Sequence, residues 1–120
     1  MAVLIEKPVQ VEAAGNKPKI IREFVGRVSS KTEAASVARM SSPAGWVEPG
    51  QTPDFEEYTL VLSGSLQVET KTKTLQVGAG QAVITPKGEW VRYSTPAGPC
   101  EYVAVCVPAF SPASVKRDPD

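Results

Sequence analysis

An all-β fold, a sandwich or a barrel, is the expectation for this chain, and three observations carry it. Turn signals recur every eight to twelve residues, short β-type runs lie between them, and helix signals are weak. The turns are Ser41-Ser42-Pro43-Ala44-Gly45, Pro49-Gly50, Ser63-Gly64-Ser65, Gly78-Ala79-Gly80, Pro86-Lys87-Gly88 and Pro96-Ala97-Gly98-Pro99. Eleven prolines and nine glycines supply this punctuation.

Taken in order, the expected strands are Ile20–Val28, Ala35–Met40, Tyr58–Leu62, Leu66–Thr70, Thr74–Val77, Ala82–Thr85, Val91–Ser94 and Tyr102–Val107. Leu66-Gln67-Val68-Glu69 and Val103-Ala104-Val105-Cys106 alternate with the period of a strand that has two different faces. Lys71-Thr72-Lys73 reads as a solvated hairpin tip. Ser30–Val37 tolerates either a helical turn or a loop running into a strand. Residues 1–19 form an N-terminal arm or strand, and Met1–Val11 is a candidate for pairing with a neighbouring subunit. Residues 111–120 form a polar, proline-flanked tail, expected to be draped over the surface or frayed.

The 120 residues make room for one domain, 1–120, with one core, and 42% apolar residues suffice to fill it. Thirteen basic and thirteen acidic side chains cancel, which argues against nucleic-acid or membrane-surface partners. The start MAVLIEKPVQ lacks the basic head and long apolar stretch of a signal peptide, so cytoplasmic residence is expected. Cys100 and Cys106 fall on one short strand, where a mutual disulfide is unfavourable, and two thiols are too few for a tetrahedral zinc site. Histidine is absent. That removes the Ser-His-Asp triad, Cys-His nucleophiles, imidazole bases and every histidine-dependent metal motif.

Two stretches carry a family pattern. Gly45 is followed after five residues by Gln51, then Pro53, then after three residues Glu57, then after six residues Gly64. Further on, Gly80 is followed after five residues by Pro86, then Gly88, with Val91 and Thr95 behind. Both stretches resemble the paired motifs of the cupin superfamily, in which the first reads Gly-x5-His-x-His-x3–4-Glu-x6-Gly and the second Gly-x5-Pro-x-Gly-x2-His-x3-Asn. The resemblance implies a cupin-type double-stranded β-helix, an RmlC-like jelly-roll barrel. It also implies a metal held by three imidazoles and one carboxylate. Here the carboxylate, Glu57, is retained, while the imidazole positions hold Gln51, Pro53 and Val91. One carboxylate and one amide do not hold a first-row transition metal tightly. No metal and no cofactor are therefore expected.

In such a barrel, strand parity places Thr59 and Val61 on the face of Glu57, and Tyr93 beside Val91. Desolvation of Glu57 would raise its pKa toward general acid or base work, with Tyr93 as hydrogen-bond donor; these two are the candidate catalytic residues. Arg39, Gln51, Trp46 and Val91 are candidate substrate-binding positions. A barrel glutamate is also held by amides and an arginine merely to satisfy burial, and the tryptophans also serve as core. Two functions follow: a non-catalytic small-molecule binding or sensor module, or a metal-independent isomerase, epimerase or lyase that uses Glu57. A third is a small unit that works beside another protein. A small-molecule ligand and homodimerisation are the expected partnerships.

Overall fold

The computed structural model describes residues 1–119 and is almost entirely β-structure, as the turn spacing requires. Its strands are β1 (Val9–Val11), β2 (Ile20–Val25), β3 (Ser36–Ser42), β4 (Glu56–Ser63) and β5 (Ser65–Thr70). They continue with β6 (Thr74–Gly78), β7 (Ala82–Thr85), β8 (Val91–Ser94) and β9 (Cys100–Val107), and one helical turn follows, α1 (Pro112–Val115). A six-stranded antiparallel sheet runs β1-β2-β3-β9-β4-β7, and a three-stranded one runs β6-β5-β8. Their ladders do not join, so the jelly-roll is two sheets wrapped about a core without a continuous closed ladder.

The core follows from the period of two. Along β9 the residues Cys100, Tyr102, Ala104 and Cys106 are buried, and their neighbours less so. On β4, Glu57, Thr59 and Val61 turn inward while Tyr58 and Leu60 face out. One buried cluster joins the sheets through Trp46, Val61, Leu66, Val68, Val91 and Tyr93. A smaller one at the other end holds Phe55, Cys106 and Val115, with the Phe55 and Phe110 rings edge to face at 5.9 Å. Both cysteines are free and buried.

The motif glycines Gly45, Gly64, Gly80 and Gly88 all hold left-handed backbone, at φ 73°, 78°, 80° and 82°. At Gly64, between β4 and β5, the chain also passes so near Pro99 that a Cβ would lie 2.2 Å from the Pro99 carbonyl oxygen. The motif spacing is thus a spacing of turns.

Three segments that the sequence left open each take one of their expected forms. Ser30–Val37 is not helical: Thr32 N–H bonds the Gly26 carbonyl at 2.9 Å, Lys31 turns left-handed at φ 58°, and β3 starts at Ser36. Within the arm, Val9–Val11 pairs with β2 of its own chain, Val9 opposite Glu23. The tail is laid down rather than frayed. Ser111 caps α1 through a hydrogen bond from Ser114 N–H, and Thr52 N–H, Asp54 N–H and Asp118 N–H tie the tail to residues 50–54 at 2.7–3.0 Å. Asp120 lies outside the described residues. No helix among the described residues is long and apolar enough to cross a membrane.

Candidate active site

Three cross-strand rows on the inner face of the large sheet build the floor of a cavity. One runs Val11, Ile21, Met40, Tyr102 and Val61; the next runs Glu23, Ala38, Ala104 and Thr59; the third runs Ser36, Cys106, Glu57 and Thr85. In the middle row the side chains of Ala38 and Ala104 are only methyls, and the hollow lies over them. Its volume is about 70 Å³. One water occupies roughly 10–15 Å³ by the same measure, so this is space for a small molecule. Exposed Glu12 is part of its wall, which places one side at solvent.

Glu57 sits in the third row, buried. Tyr93 OH donates to Glu57 Oε1 at 3.0 Å, and the Thr85 hydroxyl lies 3.0 Å from Tyr93 OH. Burial, and then the nearby Glu48 carboxylate, push the Glu57 carboxyl up to about 7; the Tyr93 hydrogen bond and the charges of Lys19 and Arg117 pull the other way. Burial and the Glu57 charge hold the Tyr93 phenol well above its ordinary range. The carboxyl is therefore poised between its two protonation states near neutrality, and the phenol stays a donor.

Gln51 lies between two backbone partners. It exchanges both main-chain hydrogen bonds with Val91 at 2.9 Å, and it bridges Arg117 of the tail on its other side. Arg117 Nη1 donates to Gln51 Oε1 at 2.9 Å and to Glu48 Oε2 at 3.4 Å. Lys19, at the end of the N-terminal arm, donates to Tyr102 OH, with its ammonium 3.8 Å from the centre of the Trp46 ring. Burial lowers the Lys19 pKa and raises that of Glu48.

Of the expected site residues, Glu57, Tyr93 and Gln51 line the cavity together. Arg39 does not. Its strand neighbours Ala38 and Met40 occupy the inward positions, which by parity turns Arg39 outward, where it pairs with Glu101 at 2.5 Å on the surface. Trp46 is wholly buried core, its Nε1 donating to the Ala14 carbonyl at 3.1 Å, and it touches the site only as the face under Lys19. Val91 is also core and acts through its backbone. Lys19, Glu48, Tyr102 and Arg117 were not foreseen. Alternation from Trp46 points to Glu48, alternation from Cys100 to Tyr102, and alternation back from Glu23 and Ile21 to Lys19; nothing periodic marks Arg117, which stands in the C-terminal segment.

The metal implied by the family motifs does not fit these residues. Buried Pro53 and Val91 offer no donor side chain, the Gln51 amide oxygen already accepts from a guanidinium, and Glu57 holds the Tyr93 hydrogen bond. No group of three or more cysteine, aspartate or glutamate side chains among the described residues is arranged to hold an ion.

Two sheets wrapped in this order, with the paired glycine motifs at their turns, define a cupin fold. Solved structures agree. A Streptomyces PAC13 variant with uridine superposes with a TM-score of 0.74 at 19% identity, covering 97% of this chain and 88% of that one. A predicted oxalate decarboxylase from Thermotoga maritima gives 0.71 at 20% identity, covering 89% and 98%. The polyketide cyclase RemF from Streptomyces resistomycificus gives 0.69 at 19%, covering 99% and 82%. Identities this low speak for the fold alone. No family model matches. A curated protein, the endoribonuclease YbeY of Myxococcus xanthus, is 43% identical over 95 residues, covering 78% of this chain; the chain spans 32% of that protein's length.

Proposed function

We propose that this chain is a metal-independent enzyme of isomerase, epimerase or lyase type, acting on a small molecule with Glu57 as general acid and base. The observation that supports this reading best is the Glu57 carboxyl itself: it lines the cavity, is held by Tyr93, and makes no ion pair among the described residues. A glutamate buried merely for structure is expected to be tied to an arginine or to amides, as Glu23 is tied to Val28 N–H and Ser29 N–H at 3.1 and 2.7 Å. With a pKa near 7, Glu57 as carboxylate takes a proton from a carbon next to a carbonyl. As the acid it returns that proton to another carbon, or to a departing oxygen. Tyr93 keeps Oε1 in place, leaving Oε2 for the substrate.

The test is solvent deuterium exchange into a panel of small oxo acids, hydroxy acids and sugars, followed by proton NMR. Exchange into one class, lost in Glu57→Gln with the fold intact, supports the reading. Exchange that survives Glu57→Gln removes Glu57 from the chemistry, and none from any compound that binds leaves the cavity as a binding or sensor module.

The likeness to part of a larger endoribonuclease favours a second reading, in which this fold works beside another domain or subunit in RNA processing. A filter-binding titration with single-stranded RNA separates the two, since an RNA role requires salt-dependent binding. We also propose a cytoplasmic homodimer. Tyr58, Leu60 and Ile84 expose an apolar patch on the outer face of β4 and β7 that a second copy would cover.

A further inference from the structure

The cavity wall holds six charged side chains: Glu12, Lys19, Glu23, Glu48, Glu57 and Arg117. Their partners sort them. Glu23 is satisfied by the two loop amides, Glu48 lies 3.4 Å from Arg117, Glu57 takes the Tyr93 hydrogen bond, and Glu12 is exposed at the solvent side. Arg117 uses only Nη1, on Glu48 and Gln51; its Nε and Nη2 make no hydrogen bond among the described residues. Lys19 is in no ion pair among the described residues; its ammonium has one hydroxyl, Tyr102, and two aromatic faces, Trp46 and Tyr102. Three of the four carboxylates thus have donors of their own, while the two cations keep unused N–H groups at a cavity.

We infer that this pocket recognises an anionic small molecule, a carboxylate or an oxyanion of similar size, through the Lys19 ammonium with the Arg117 guanidinium beside it. The inference rests on the proposed reading of the cavity as a ligand site and names its substrate class. The Glu48 and Glu57 carboxylates act on the Lys19 ammonium only at a distance, and among the described residues none makes a contact ion pair with it, so it lacks the direct partner that such a group normally has when taken from water. An anion supplies it, and accepts charge-assisted hydrogen bonds from Lys19 and from the free side of Arg117. Glu57 stands in the same cavity and titrates near neutrality, so an incoming anion favours its protonated form and arrives with a proton. A substrate bound in this way meets Glu57 as an acid.

The test is isothermal titration of the full chain with acetate, pyruvate, L-lactate, succinate and inorganic phosphate, against acetamide and lactamide as neutral shape controls. At least one anion is expected to bind at least about tenfold more tightly than the amides. Repeating the titration near pH 7 in two buffers of different ionisation enthalpy is expected to show a fraction of a proton taken up. Lys19→Met is expected to lose about tenfold or more in anion affinity, and Lys19→Arg to keep most of it, which separates loss of charge from loss of fold. Equal binding of amides and anions, wild-type affinity in Lys19→Met, or no anion bound at about 10 mM overturns the inference. Glu57→Gln keeps the two failures apart: anion binding retained with exchange lost upholds both readings, and anion binding retained with exchange unchanged removes the catalytic one alone.

Discussion

The two walls of the cavity are made in different ways. One is carried by strands: Glu57 on β4, Tyr93 on β8, and the alanine floor of β3 and β9, each fixed by cross-strand register. The other comes from the chain ends: Lys19 from the arm before β2, and Arg117 from the tail strapped along residues 50–54. The strand wall holds the acid–base pair in one geometry, and the terminal wall holds the cations. On the proposed reading chemistry and recognition sit on separate parts of the polypeptide, coupled through the charges of Lys19 and Arg117 acting on Glu57.

Substitutions on the two walls are expected to fail differently. The largest effect is on the strand wall: Glu57→Gln is expected to lower proton-transfer turnover by about 10²–10⁴-fold with ligand affinity retained, read from kcat and KM together. On the terminal wall, a chain ending at Val115 lacks Arg117 and its bonds to Glu48 and Gln51. Its ligand affinity is expected to fall about tenfold while Glu57 keeps its Tyr93 partner; a mainly lowered kcat would show that the walls are not separable.

Acidity sharpens the contrast further. Folded Glu57 titrates near 7 against an ordinary value of 4.5, so between these the folded chain holds more proton than the unfolded one. Its contribution is fully present below about 4.5 and is lost as pH rises through about 7, a change of order 3 kcal/mol at most. Glu48, also raised by burial, adds in the same direction. Urea midpoints measured from pH 4.5 to 8 are expected to decline for the wild type and to decline less for Glu57→Gln, which should be the more stable of the two at pH 8.

Away from both walls the expected effects are structural or small. Gly64→Ala places a Cβ against the Pro99 carbonyl at a left-handed φ and is expected to cost about 2 kcal/mol in a urea melt, without a change in pH dependence. Arg39→Ala removes only a half-exposed surface pair with Glu101, so both stability and ligand binding should stay within about 0.5 kcal/mol of wild type.

The same division explains what was legible in the sequence. Glycine and proline spacing located the turns because those turns require left-handed or fixed backbone, and eight of the nine strands could be read from runs and punctuation, with Ala82–Thr85 and Val91–Ser94 matching residue for residue. Parity from Glu57 then placed Thr59 and Val61 inward, and parity from Val91 placed Tyr93. Arg39 failed by one residue of register, which on a strand is the whole difference between cavity and solvent. Arg117 escaped because nothing local marks it, and Lys19 because parity through Ile21 and Glu23 reaches it only past the strand start at Ile20. Each lies in a segment whose conformation is set by long-range pairing, the arm with β2 and the tail with residues 50–54.

The central claim is that Glu57 is held at the edge of ionisation by its own burial. Carbon-13 NMR of glutamate-labelled protein, with the Glu57 resonance assigned by its absence in Glu57→Gln, measures this directly. The account predicts a midpoint near 7 for Glu57. A midpoint near the ordinary 4.5 would mean a solvated carboxylate, and an acid–base role for this cavity would be contradicted.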